Sequence, residues 1–359
     1  LTKDVDLKII TTPWGDTPWI IDANSHDGLI GEIMKRTPPQ VEVADVSFQL
    51  QLPNEWDTKL ARFNVGMTAG VETDRCNPEW IKAINAMNLV IVPSQHVKTT
   101  FMNSGAVTTT IKVVPEAFID ACMLPDDALP ELPRFSTSFN FLVFGQITGS
   151  NPFNDRKNMF FTVKYLTDVF KNDPNVGIVV KTNTGRNSQR DRENTTNLFK
   201  QLALEARQGA AGPKIHLLHG EMSDKEVAAL YRHPDIKALV SLTRGEGFGL
   251  PTLEAAASGL PVITTNWSGH LDFMNKGKFI SLFYTLSDVH KTRIDGNIFV
   301  KGSRWAEPLE DDFKKKVTKF RSSNAIPKQW AGELKTKLLA SHSFEAISKS
   351  YDEALSGVI

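Results

Sequence analysis

Cysteine is nearly absent: Cys76 and Cys122 are the two in 359 residues. Two thiols so far apart make neither a disulfide framework nor a metal-ligand spacing, and they suit a reducing, cytoplasmic setting. A charge bias is also missing. Lys plus Arg and Asp plus Glu both total 41, so the net charge is zero and no global field draws a polyanion; nucleic acid is not an expected partner. No apolar run approaches the length of a membrane span, and the opening LTKDVDLKII lacks the charged-then-apolar order of a signal peptide, so a soluble protein is expected. Repeats and low-complexity segments are missing as well. What remains is an ordinary globular composition, 41% apolar and 23% charged, in a chain long enough for two cores and a cleft between them.

The apolar runs VSFQLQL (46–52), RFNVGMT (62–68), LVIVPS (89–94) and TIKVVP (110–115) are short and separated by helical patterns. That alternation predicts strands and crossover helices of a parallel sheet. PEWIKAINAMN, led by Pro78 with Trp80, Ile81, Ile84 and Met87 on one side, predicts one of the helices. Between Cys122 and Ser138 three prolines and no periodicity mark a connector. A second series follows: FNFLVFG (139–145), VGIVVKT (176–182), KIHLLHG (214–220), KALVSLT (237–243) and LPVITT (260–265). The expected organisation is a Rossmann-like domain over 1–125, a linker over 126–138, a second Rossmann-like domain over 139–330 and terminal helices over 331–359 that pack back on the first. In open α/β sheets, ligands bind at the carboxyl ends of the strands, so the two halves are expected to face each other across a binding cleft.

The stretch EGFGLPTLEAAASGLPVITT, residues 246–265, follows an apolar strand, turns through Gly247 and Gly249, and enters a helix near Pro251. Glycines let a ligand approach the backbone, and a helix N-terminus offers N–H groups to an anion, so the turn is expected to hold phosphate. Glu246 lies before the turn and Glu254 about one helical turn inside it. Carboxylates so placed can accept hydrogen bonds from the hydroxyls of a sugar or ribose; alternatively, Glu254 only complements the helix dipole.

The whole string resembles the donor-binding signature of the family-four retaining glycosyltransferases of GT-B fold (glycosyl transferases group 1), in which two glutamates are separated by seven residues. The approach to it, residues 217–251, and the segment NVGMTAGVETDRCNPEWIKAINAMNLVIVPSQHVKTTFMNSG, residues 64–105, resemble the same family. The resemblance implies that Glu254 binds the ribose hydroxyls and Glu246 contacts the transferred sugar. It implies that the backbone of Gly247, Phe248, Gly249 and Leu250 meets sugar and diphosphate, and that His219, Gly220, Glu221 and Met222 border the base. Relatives place a basic pair after the first strand of this domain to neutralise the departing diphosphate. Arg156 and Lys157 fit its later part, while Gln146 stands where many relatives have Arg.

On the acceptor side the candidates are Glu72, just after a strand-like run, and His26 in DANSHDGLIGEIMKR (22–36), where Gly28 and Gly31 give room; a structural or solvated role is the plainer reading of His26. Asp4 and Asp6 form a D-x-D, a metal-holding pattern in a different glycosyltransferase fold, but in an alternating run they read as a charged strand edge, and no metal is expected. The resulting expectation is a metal-independent, cofactor-free transferase that retains anomeric configuration, with a UDP-, GDP- or ADP-sugar as donor. In that picture the diphosphate departs and takes the acceptor's proton. The acceptor class stays open among glycan, lipid carrier, protein and small molecule. A nucleotide-sugar epimerase or sugar phosphorylase on the same fold, or a non-catalytic sugar-binding scaffold, are the competing readings.

Overall fold

The computed structural model of the chain describes residues 5–12, 20–40, 42–183 and 188–358. Its first half is a four-stranded parallel sheet in sequence order, β1 (Ala44–Leu50), β2 (Ala61–Met67), β3 (Leu89–Val92) and β4 (Ile111–Val113). Helix α1 (Leu29–Lys35) precedes the sheet and buries no residue. Helices α2 (Pro78–Ala86) and α3 (Gln95–Ser104) connect the later strands. Each begins where its sequence says it should: Asn77 Oδ1 accepts from the Glu79 amide at 3.0 Å with Pro78 next in line, and Ser94 Oγ accepts from the Val97 amide at 3.3 Å. The apolar side of α2, Trp80, Ile81 and Ile84, is buried in the core of this half.

The second half is a six-stranded parallel sheet made of β5 (Phe139–Phe144), β6 (Val176–Thr182), β7 (Lys214–His219), β8 (Ile236–Ser241), β9 (Val262–Thr265) and β10 (Ile280–Leu282). The spatial order is β10-β9-β8-β5-β6-β7. Chain direction therefore reverses its march between β5 and β8, the switch point at which such sheets bind ligands. Helices α4 (Met159–Phe170), α5 (Gln189–Arg207), α6 (Asp224–Tyr231), α7 (Leu250–Ala257) and α8 (Leu271–Met274) connect the strands. One core joins α4 and α5 to one face of the sheet, and another joins α6, α7 and α8 to the other. Burial on both faces explains why β6 reads as the unbroken apolar run VGIVV rather than an alternation.

After β10 the chain makes an antiparallel hairpin, β11 (Tyr284–Asp288) and β12 (Arg304–Pro308), and then α9 (Glu310–Ser322), α10 (Ala325–Ser341) and α11 (Phe344–Leu355). Val289, Phe299 and Trp305 from this hairpin sit in the core of the first half beside Trp80, Val90 and Phe101. Helix α9 packs in the α4–α5 core and α10, which runs across residue 330, packs on α7 through Leu334 and Leu338. Helix α11 returns to the first sheet, where Ile347, Ala354 and Leu355 cover Val65, Leu89 and Ile91. Two Rossmann-like sheets with a terminal helix folded back on the first form the GT-B architecture. Among the described residues no helix is long and apolar enough to cross a membrane.

Candidate active site

Two loops meet at the switch point. The first leaves β5 and ends at α4; the Asp155 carboxylate ties it together, accepting from the Thr148 amide and hydroxyl at 2.9 and 2.8 Å and from the Met159 amide at 2.8 Å. This knot holds Arg156 and Lys157 over the sheet edge. The second loop leaves β8 and carries Glu246 through Gly249, which takes φ +102° and stands at the N-terminal cap of α7. That left-handed conformation is the physical reason for glycine there.

The side chains from these loops converge. Lys157 Nζ donates to Glu246 Oε1 at 2.6 Å; one terminal guanidinium nitrogen of Arg156 donates to Glu246 Oε2 at 3.1 Å and to the Gly245 carbonyl at 2.8 Å. Arg156 Nε also lies 3.2 Å from Glu72 Oε1, so a carboxylate from the first half joins the group. Burial alone would raise the Glu246 carboxyl, but Lys157 and Arg156 outweigh it and bring it down to about 2. Glu246 is therefore a permanent anion and acceptor near neutral pH.

Glu254 has the opposite surroundings. It is buried in the first turns of α7, and the Tyr231 hydroxyl donates to its Oε2 at 3.1 Å. Burial lifts its carboxyl to about 7, with Tyr231 opposing the rise and Asp224 adding to it. Two carboxylates one loop apart are thus tuned in opposite directions, one held down by two cations and the other pushed up by burial that a single phenol only partly offsets.

Beneath the loop, Ser268 Oγ accepts from the Glu246 amide at 2.9 Å, and His270 Nε2 sits 2.8 Å from the Thr265 carbonyl, so that nitrogen carries the proton. Burial keeps the His270 ring neutral. The first half closes on the same turn: Ser94 Oγ donates to the Gly247 carbonyl at 2.6 Å, and the Gln95 amide donates to Asp272 Oδ2 at 2.6 Å. A Cβ at Gly245 would overlap the Glu72 carbonyl oxygen, and one at Gly247 would come within 2.5 Å of that of Ala69. Gly245 and Gly247 therefore allow the two halves to touch. Among the described residues, no group of three or more His, Cys, Asp or Glu side chains is placed to hold a metal ion.

Residues 150–288, which include Asp155, Arg156, Lys157 and the whole second loop with Glu246 and Glu254, match the family model of the glycosyl transferases group 1. The chain carries a group 1 glycosyltransferase domain. Its architecture agrees with solved structures at low identity. The trehalose 6-phosphate synthase of Burkholderia multivorans superposes with a TM-score of 0.61 at 10% identity, covering 91% of this chain and 74% of that one. The sucrose-phosphate synthase of Thermosynechococcus elongatus gives 0.56 at 13% identity, covering 88% and 73%. S. aureus TarM, solved with UDP, fondaparinux and α-GlcNAc-glycerol, gives 0.52 at 15% identity, covering 84% of this chain and 52% of its own. No curated protein matches the chain in sequence. The group 1 match over residues 150–288 supports a glycosyltransferase, and the solved structures share the GT-B fold.

Within the group 1 domain, the loop after β7 places Gly220 at φ +112° with open space where a Cβ would be, and Lys181 from the end of β6 donates to its carbonyl. Met222 packs against the core beside α7, and Glu221 is exposed. An open groove of about 800 Å³ adjoins this loop, lined by Ser188, Arg192, Lys200 and His219. Phe248 turns its ring into the core against Phe273, leaving its backbone on the loop, and Leu250 is the first residue of α7. Gln146 is exposed at the mouth of the loop that carries Arg156. His26 stands in an exposed turn with φ +52°. Asp6 pairs with Lys8 at 2.9 Å, while Asp4 lies outside the described residues. Tyr231, Arg244, Ser268 and His270 were not singled out from sequence. Each works through a contact between segments far apart or around a bend, and Arg244, adjacent to the turn, is the one whose position could have drawn notice.

Proposed function

We propose that the chain transfers a sugar from a nucleotide-sugar donor to an acceptor hydroxyl, with retention and without a bound metal. The observation that carries this reading is the convergence of Lys157 and Arg156 on Glu246 at the N-terminus of α7, with the differently tuned Glu254 further along the same helix. The helix N-terminus and the two cations supply a positive wall for a diphosphate. Glu254, when ionised, accepts hydrogen bonds from ribose hydroxyls, and Glu246, pinned as an anion, accepts from hydroxyls of the transferred sugar. The loop at 219–222 borders the base. UDP bound to the structural neighbour TarM supports a uridine donor as the first one to try.

Chemistry then follows from position and charge. As the bond from the anomeric carbon to the diphosphate oxygen lengthens, negative charge grows on that oxygen, and Lys157 and Arg156 stabilise it. The acceptor hydroxyl attacks from the face the diphosphate is leaving and passes its proton to the leaving phosphate. Glu246 cannot be the proton donor, because its neighbours keep it ionised. Glu72 links Arg156 to the acceptor-side half, and in this reading its carboxylate orients the acceptor hydroxyl. A cytoplasmic location belongs to the same proposal, since both cysteines are buried, unpaired thiols.

A thermal-shift screen against UDP, GDP, ADP and their sugars in EDTA tests the donor reading, because a ligand that binds only the folded state raises the midpoint. Turnover with an added acceptor supports transfer; epimer formation without one supports an epimerase. Binding with no turnover supports a scaffold.

A further inference from the structure

The side chain immediately before the donor turn is as deeply buried as its neighbours Leu242 and Thr243, although it carries a charge. Arg244 is 1% exposed, yet four of its guanidinium hydrogens have acceptors. Nε and one terminal nitrogen reach Glu307 Oε2 and Oε1 at 2.6 and 2.9 Å, a bidentate fork, while the other terminal nitrogen donates to the carbonyls of Pro152 and Asp155 at 2.9 and 2.7 Å. Its backbone amide donates to the Arg156 carbonyl at 2.9 Å, and its own carbonyl accepts from the Ala306 amide at 2.9 Å. The rings of Trp305 and Phe161 lie 5.4 and 5.9 Å from the guanidinium carbon.

Three carbonyls of the loop that carries Arg156 and Lys157 are thus bonded to one residue, which sits two positions before Glu246. We propose that Arg244 is the positioning residue for the Arg156–Lys157 pair, fixing that loop against the Glu246 turn and against β12. The inference rests on reading Arg156 and Lys157 as the cations that meet the diphosphate. Lys157 reaches Glu246 at 2.6 Å, and a displacement of about 1 Å at a reacting centre can cost roughly a hundredfold in rate. A buried cation needs its partners met, and the planar fork of Arg meets Glu307 and two carbonyls at once; the ammonium of Lys, a point donor, cannot span them.

The variants are Arg244→Lys and, because a core change can unfold the domain, Glu307→Gln, whose side chain is one-third exposed. Hydrogen exchange of intact protein is followed for peptides covering 148–158, α7 and the first sheet. The expected result is exchange roughly tenfold faster in 148–158 with α7 and the first sheet unchanged. Unchanged exchange in 148–158, or an equal rise throughout, overturns the proposal in favour of plain packing. Turnover is read with whichever of UDP-, GDP- or ADP-glucose the wild type hydrolyses. Arg244→Lys is expected to lower kcat about a hundredfold with KM changed less than threefold, and to add nothing to Lys157→Ala in the double variant. Losses that multiply overturn it. A wild type that hydrolyses none of the three defeats the donor reading, and the exchange result still decides the role of Arg244.

Discussion

Glu254→Gln is expected to stabilise the protein at alkaline pH, although it removes a group from the binding site. Burial holds the Glu254 carboxyl at about 7 against an ordinary value of 4.5, so the folded chain binds this proton more tightly than the unfolded one. Stability from this source is fully present below pH 4.5 and is lost as pH rises through 7. The rise from 4.5 to about 7 corresponds to about 3 kcal/mol by which ionised Glu254 weakens the fold above pH 7. Gln keeps an oxygen for the Tyr231 hydroxyl and does not titrate. The gap between variant and wild type should therefore be near zero at pH 4.5 and reach about 3 kcal/mol above pH 7, roughly 6–12 °C in Tm for a domain of this size. Thermal melts of both proteins from pH 4.5 to 8.5 read it directly. A gap independent of pH, or a variant less stable than wild type at pH 8, refutes the reasoning.

Glu246→Gln should do the reverse: its carboxyl sits at about 2, so it contributes stability that is present above pH 4.5 and lost as pH falls through 2, and the variant should lose about 3 kcal/mol in denaturant titrations at pH 7. Lys157→Ala should lower kcat more than it raises KM, and Arg156→Ala likewise; a change confined to KM contradicts their role on the leaving group. Tyr231→Phe removes the donor that favours ionised Glu254, so the pH above which a nucleoside diphosphate binds tightly should move up by about one unit, with wild-type affinity regained at pH 9. Calorimetry across pH 6–9 checks it, and an affinity loss equal at every pH rules it out.

Strands were legible wherever burial on both faces left a continuous apolar run, as in β6, and α2 was legible from Pro78 and its apolar stripe. The two glutamates and the basic pair could be read because the strand, turn and helix around them are local and have a family resemblance. Less was visible where distant segments meet. Val289, Phe299 and Trp305 come from the second half of the sequence but complete the core of the first half, a partnership no local periodicity encodes. Gly247 and Gly249 announced a ligand's approach to the turn, but the structure shows the carbon positions of Gly245 and Gly247 facing the Ala69–Glu72 backbone, information that exists only once the halves are assembled. Likewise, the opposite tuning of Glu246 and Glu254 depends on Lys157 and Arg156, which lie 89 or more residues from Glu246 in the chain, and on the burial of Glu254 in the assembled domain.

The central claim is that this site binds a nucleoside diphosphate through Glu254, the α7 N-terminus and two cations, without metal. Calorimetry with UDP, GDP and ADP in EDTA, at pH 8 where Glu254 is ionised, tests it most directly on wild type, Glu254→Gln and Glu246→Gln. The account predicts that at least one of the three nucleotides binds wild type. Glu254→Gln should bind it about tenfold or more weakly, since a hydrogen bond to a charged group contributes about 1.5–3 kcal/mol, and Glu246→Gln should bind it nearly as well as wild type. Binding that appears only when a divalent ion is added, or equal losses in the two variants, would contradict it.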